Sequence, residues 1–247
     1  MAQRLAPPRN KRDTVAAVGL MSKALEVHQR LVEIFGEHPH RPRLDPIAEL
    51  VSTILSQNTN DVLRDKAFDS LQQRFPTWKQ VRDAPVEEVI VAIKVAGLSQ
   101  KKAPRIQEAL RRISAERGEL SLDFLREIGV EKAKQWLMAI NGVGPKTAAI
   151  ILLFSFGMPA FPVDTHIHRV ARRLGLIPLK ASREKAHELL EALLPPQAYY
   201  AFHLNLIQHG REVCQARRPH CEVCGLRDLC DYYRGVVHPL QVKVLLS

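Results

Sequence analysis

Cysteine is absent from the chain until Cys214, and all four cysteines fall between Cys214 and Cys230. A disulfide framework spreads its cysteines along a small secreted chain, so that class is disfavoured. Aromatic residues are scarce at 6%, and only 12 of 247 residues are glycine, which argues against a many-turned β-sandwich. Long apolar runs are missing too. The longest, Ala148–Phe156, has nine residues, against about 20 needed to span a bilayer. Arg4, Arg9, Lys11 and Arg12 crowd the N-terminus, but no apolar segment follows as a secretory signal would require. A cytoplasmic protein, associated with the nucleoid if its partner is DNA, is the expectation.

What is present is a globular mix, 46% apolar and 25% charged, with a positive balance. Lysine and arginine total 36 against 26 acids, a formal charge of +10 and a pI near 9.7. Such a surface suits a polyanion, and nucleic acid before a membrane, because no helix sets a Lys/Arg face opposite a Trp/Phe face.

The cysteines are spaced Cys214-x6-Cys221-x2-Cys224-x5-Cys230, four thiols within 17 residues. That density points to ligands converging on one metal centre. Zinc ribbons usually offer two Cys-x2-Cys pairs and here there is one, while four thiolates also suit a [4Fe–4S] cube. Spacing alone leaves iron–sulfur, zinc and an unmetallated loop open.

The apolar period is helical almost everywhere from Met21, and no alternating run competes. The fold class is all-α, with about eleven helices joined by short turns. Residues 1–19, with Pro7-Pro8, read as a flexible basic tail. Asp45-Pro46 is an N-cap with proline at the first helical position, and Ser99, Ser121, Asp164 and Ser182 are further expected caps.

Two segments carry chemistry. In Ile140-Asn141-Gly142-Val143-Gly144-Pro145-Lys146-Thr147, Gly142 and Gly144 let backbone N–H groups face outward at a helix start, which suits a phosphate. Lys146 then stands in the first turn of a very apolar helix, where the dipole disfavours a cation. Desolvation and the dipole are expected to lower its pKa, as a lysine nucleophile requires. Eighteen residues on, Asp164 in Val163-Asp164-Thr165-His166 is expected to cap a helix, stay ionised and present one oxygen to a neighbouring site. A lysine and an ionised aspartate beside a phosphate-binding hairpin suit chemistry at a sugar carbon.

Taken in order, Gly142–Ala148, Val163–His166 and the cysteine series resemble endonuclease III, the iron–sulfur branch of the helix-hairpin-helix DNA glycosylases. The resemblance covers about residues 20 to 235. It implies two all-α domains flanking a DNA-binding cleft. One is a six-helix barrel over 44–158 containing the hairpin. The other joins 20–43 to 159–235 and holds a [4Fe–4S] cluster on Cys214, Cys221, Cys224 and Cys230. Residues 236–247 would be a C-terminal extension.

The resemblance also implies Lys146 as nucleophile, forming a Schiff base with the sugar C1′, and Asp164 as the essential carboxylate. The partner would be double-stranded DNA with a damaged base, bound by a monomer. Gly142, Gly144, Thr147 and His166 belong to these motifs and are expected on the DNA. Leu55-Ser56-Gln57-Asn58-Thr59 falls where the family fills the gap left by the flipped base, so Gln57 or Asn58 is expected to insert. Asn58 stands where a glutamine is usual. Leu98, after Gly97, matches the residue that wedges into the opposite strand. Arg217 and Arg218, within the cysteine loop, are expected to meet phosphate.

These features imply a base-excision-repair glycosylase with β-elimination lyase activity on oxidised pyrimidines. The alternatives are a mismatch thymine or uracil glycosylase of the same superfamily, a non-catalytic helix-hairpin-helix DNA-binding protein, or a zinc-stapled binding module. The adenine-specific branch is disfavoured, since it generally lacks this lysine. The residues Ser99-Gln100-Lys101 and Val130–Asn141 depart from the usual family forms, which bears on base preference and not on the lysine chemistry.

Overall fold

The computed structural model describes residues 11–42 and 44–237. It holds helices and turns, with no β-strand among the described residues. The chain divides into two compact units, a split unit of residues 1–40 with 159–247 and a central unit of residues 41–158.

The central unit runs α2 (Pro46–Leu55), α3 (Asp61–Arg74), α4 (Trp78–Asp83), α5 (Val86–Ala92), α6 (Ser99–Arg117), α7 (Leu125–Ile128), α8 (Val130–Met138) and α9 (Pro145–Ile150). Asp45 caps α2 as expected, its Oδ1 accepting from Ile47 N and Ala48 N at 3.0 and 3.1 Å. Leu50, Ile54, Leu55, Ile106, Leu110 and Ile113 lie wholly out of solvent, and α2 packs on α6. Each such side chain contributes roughly 1.5–3 kcal/mol of transfer free energy.

Two local expectations need correction. Ser99 is the first residue of α6 rather than its cap. The capping position belongs to Leu98, whose carbonyl accepts from Lys101 N and Lys102 N, because the chain enters the helix straight from a turn at positive φ. Ser121 does not cap a helix over 122–128. Its hydroxyl accepts from Asp123 N in a local turn, and α7 begins only at Leu125. The apolar helix after the hairpin is also not uniform: α9 widens into a π-helical turn over Ile151–Ser155, a stretch buried throughout.

The split unit contains α1 (Lys11–Phe35), α10 (Thr165–Leu174), α11 (Arg183–Glu191) and α12 (Tyr199–Glu212). Residues 11–19, expected as tail, are the first turns of α1. Val15 and Val18 are 72% and 61% exposed, so helix-forming alanines rather than core burial carry these turns. Residues 1–10 of that tail, and 238–247 of the C-terminal extension, lie outside the described residues. Ala24, Val27 and Leu31 bury the other face of α1, which packs on α12. Gly210 in α12 allows α10 to approach closely, since a Cβ there would stand 2.9 Å from His166 Cβ.

Candidate functional site

The central unit carries the hairpin and two exposed turns. Gly142 has φ +84°, a left-handed conformation that a side chain resists, and a Cβ there would press on the Arg105 side chain at 2.9 Å from Cδ. Gly144 is extended and leads into α9 with Pro145 at the first position. Thr147 is buried and Lys146 is exposed. The expected desolvation of Lys146 is therefore not found. Its amine stands in the open at the helix start, because Thr147, Ala148 and Ala149 take the inward positions instead. Arg105, which the sequence reading missed, lies along the hairpin at Gly142.

Two non-glycine residues among those described have positive φ, Asn58 at 53° and Leu98 at 50°. The left-handed region costs roughly 1–2 kcal/mol for a residue such as leucine and less for asparagine, and strain of this kind gathers at functional sites. Both side chains are exposed, Leu98 at 50%, an apolar group facing water. Gln57 differs from its neighbour. Its Nε2 donates to the Gly142 carbonyl at 2.9 Å, so the structure brings Gln57 together with the hairpin and leaves Asn58 at the surface.

In the split unit Asp164 caps α10. Its Oδ1 accepts from Ile167 N at 2.7 Å, the side chain is half-buried, and the carboxylate has a second oxygen beyond the cap. His166 Nδ1 lies 3.1 Å from an Arg169 guanidinium nitrogen.

The four cysteines are unpaired and line one pocket, together with His209 and Arg173. Burial pushes the Cys221, Cys224 and Cys230 thiols up, Cys224 to about 11, and the charge of the neighbouring cysteines adds to it. Thiols that resist ionisation in each other's company fit a cationic group that takes up the charge of all four. Among the described residues no three acidic, His or Cys side chains gather as ligands of a single metal ion.

Arginines not singled out in the sequence organise this loop. Arg173 donates to Cys214 Sγ at 3.3 Å and to the carbonyls of Gln215 and Ala216 at 2.7 and 2.9 Å. Arg169 donates to the Gly210 and Cys214 carbonyls at 2.7 and 3.0 Å. From α1, Arg30 reaches the Gly225 carbonyl and Asp228. Burial lowers the His209 pKa to about 4, leaving a neutral ring whose Nε2 is 3.8 Å from Cys224 Sγ. Arg217 and Arg218 are both exposed on the loop between Cys214 and Cys221.

A family model described as HhH-GPD superfamily base excision DNA repair protein matches residues 51–196. The chain belongs to this superfamily. The iron–sulfur binding domain of endonuclease III matches residues 214–230, so the cysteine loop holds an iron–sulfur cluster and zinc is set aside. An endonuclease III of Thermotoga maritima is 35% identical over 77% of this chain and 84% of its own length. A putative DNA glycosylase of Arabidopsis thaliana is 39% identical over 66% of this chain, which spans about half (55%) of that relative. A solved structure described as a trapped endonuclease III–DNA covalent intermediate is 27% identical, covers 88% of this chain and 98% of its own, and has a TM-score of 0.74. The protein is thus an endonuclease III-type base-excision-repair enzyme, of the class that joins glycosylase to abasic-site lyase activity, on an all-α fold.

Proposed function

We propose that this endonuclease III-type enzyme removes oxidised pyrimidines from duplex DNA and cuts the strand through a Schiff base on Lys146. The observation that carries this is the exposed amine of Lys146 at the hairpin helix, in a chain similar to one trapped as a covalent DNA intermediate. The Nζ lone pair attacks C1′ and the base leaves with the glycosidic electron pair. Positive charge that builds on the sugar is stabilised by Asp164. One Nζ proton passes to O4′ as the sugar ring opens, which leaves C1′ doubly bonded to Nζ as an iminium. Loss of a C2′ proton then expels the 3′ phosphate and breaks the strand, and water releases Lys146.

The target base must first leave the stack, at a cost of a few kcal/mol. We assign Asn58 to the gap it leaves and Leu98 to the opposite strand. Both are exposed and held in a strained backbone, whereas Gln57 is occupied with Gly142. The amides of Gly142 and Gly144, with Thr147, His166, Arg217 and Arg218, contact the DNA. The iron–sulfur cluster, taken as [4Fe–4S], supplies four covalent ties that hold the Cys214–Cys230 loop. The enzyme acts as a monomer on cytoplasmic, nucleoid DNA.

The test is a panel of duplexes, each with one lesion or mismatch, incubated with borohydride. Trapped adducts on oxidised pyrimidines are expected. Excision of thymine or uracil from mismatches without a reducible adduct would favour the rival glycosylase reading, and binding without base release would overturn catalysis.

A further inference from the structure

Lys102 was unremarked in the sequence, one lysine in a Lys101-Lys102 pair at the start of α6. Lys101 is exposed, but Lys102 is 1% exposed and counts among the largest fully buried side chains of the described residues. Lysine is almost never fully buried unless partnered. Its partners are two carbonyls from different segments: Nζ donates to Leu55 O at 2.7 Å and to Ala96 O at 2.9 Å.

Both acceptors end helical segments. Leu55 is the last residue of α2, and Ala96 ends the 3-10 turn Lys94–Ala96 that follows α5. Terminal carbonyls lack intrahelical donors and favour a cation. Three residues after Leu55 stands Asn58, and two after Ala96 stands Leu98, the two non-glycine residues with positive φ among those described. One ammonium group therefore grips the root of each strained, exposed turn. Strained backbone persists only where its surroundings over-determine it. Burial lowers the Lys102 pKa, as a desolvated amine requires.

The geometry points to Lys102 as a positioning residue that locks the Asn58 and Leu98 turns to one another, so that the two wedges enter the duplex as one rigid pair. It rests on the assignment of Asn58 and Leu98 as inserting residues. Lys102 touches no substrate in this account. It acts only where a duplex must be held open.

The experiment compares one abasic site carried in a duplex, with 2-aminopurine opposite, and in a single strand. The full cluster-containing chain is used with Lys102→Met, which keeps the stem's bulk and loses the donors. Duplex cleavage in single turnover is expected to fall by about tenfold or more, while cleavage of the single strand stays within about twofold. The 2-aminopurine signal of unstacking should be lost on binding. Lys102→Gln, which keeps two N–H donors, should recover part of both duplex readouts.

An Asn58→Ala/Leu98→Ala variant separates this inference from the reading beneath it. If that variant cleaves the duplex like the wild type, the wedge assignment itself fails. If it is impaired and Lys102→Met is not, the positioning role fails alone. Adding Lys102→Met to the impaired variant should cost nothing more. Equal losses on duplex and single strand, or failure of both Lys102 variants to fold, would overturn the inference and leave Lys102 as part of the core.

Discussion

Gln57 and Gly142, 85 residues apart in the chain, are joined by a 2.9 Å hydrogen bond from the side-chain amide of one to the carbonyl of the other. The bond spends the Gly142 acceptor and steadies a turn whose N–H groups are assigned to phosphate. Gln57→Ala is expected to weaken binding to damaged and undamaged duplex alike, by about 0.5–1.5 kcal/mol. Asn58→Ala should leave undamaged binding unchanged and lower excision. Fluorescence anisotropy with matched duplexes checks both. If Asn58→Ala weakens both duplexes equally and leaves excision intact, the two roles are reversed.

On the proposed mechanism Lys146 and Asp164 divide the chemistry. Lys146→Gln should lose borohydride trapping and strand cleavage while retaining lesion binding. Asp164→Asn can still cap α10, since asparagine is about as good a cap as aspartate, and its melting temperature should be nearly unchanged. Its excision barrier is expected to rise by about 2–4 kcal/mol, the scale of one preorganised electrostatic group. Wild-type adduct formation by Lys146→Gln would place the nucleophile elsewhere.

The cysteine loop should join cluster and DNA affinity. Affinity of the wild type should fall with salt at a log–log slope near −0.9 for each phosphate contact. Arg217→Ala and Arg218→Ala should each make that slope shallower by up to about 0.9. Cys221→Ser should lose the visible absorption of the cluster and soften the salt slope in parallel, because the same loop carries both arginines. An unaltered slope in all three variants would detach this loop from the DNA.

His28 gives a pH dependence. Its ring packs edge-on against Phe202 at 5.7 Å, Nδ1 is buried without a partner, and burial lowers its pKa below 6.5. The folded state thus resists protonation that the unfolded chain accepts. This contribution is absent above the unfolded pKa of about 6.5 and destabilises increasingly as pH falls below it. The melting temperature should drop as pH falls below about 6.5, and that of His28→Leu should drop less. Equal slopes for both proteins would assign the acid sensitivity to other groups.

Much of this was legible in the sequence, for identifiable reasons. Helical periodicity, the Asp45-Pro46 and Asp164 caps, and the crowding of cysteines are local signals that survive without knowledge of the packing. Lys102, Arg169 and Arg173 left no such trace. Each reads as a solvated cation, and only the meeting of distant segments turns it inward, Lys102 to Leu55 and Ala96, Arg173 to Cys214 and its neighbours. Residues 11–19 were misread for the opposite reason: a helix with exposed valines shows no buried stripe. The open position of Lys146 was illegible too, because an apolar helix does not declare which side of its first turn faces out.

The π-helical turn over Ile151–Ser155 has a consequence for aim. One additional residue within a turn advances the chain by about 100° about the helix axis relative to an uninterrupted α-helix. Residues before and after it therefore answer to different phases. The later half is buried, Phe154 and Phe156 included, while Lys146 in the earlier half is exposed. Removing a single residue from the turn would restore a regular helix and keep every neighbour's chemistry. It would also rotate the Lys146 side chain by about a quarter turn relative to the buried half, so the bulge works as a clocking device for the hairpin end of the helix.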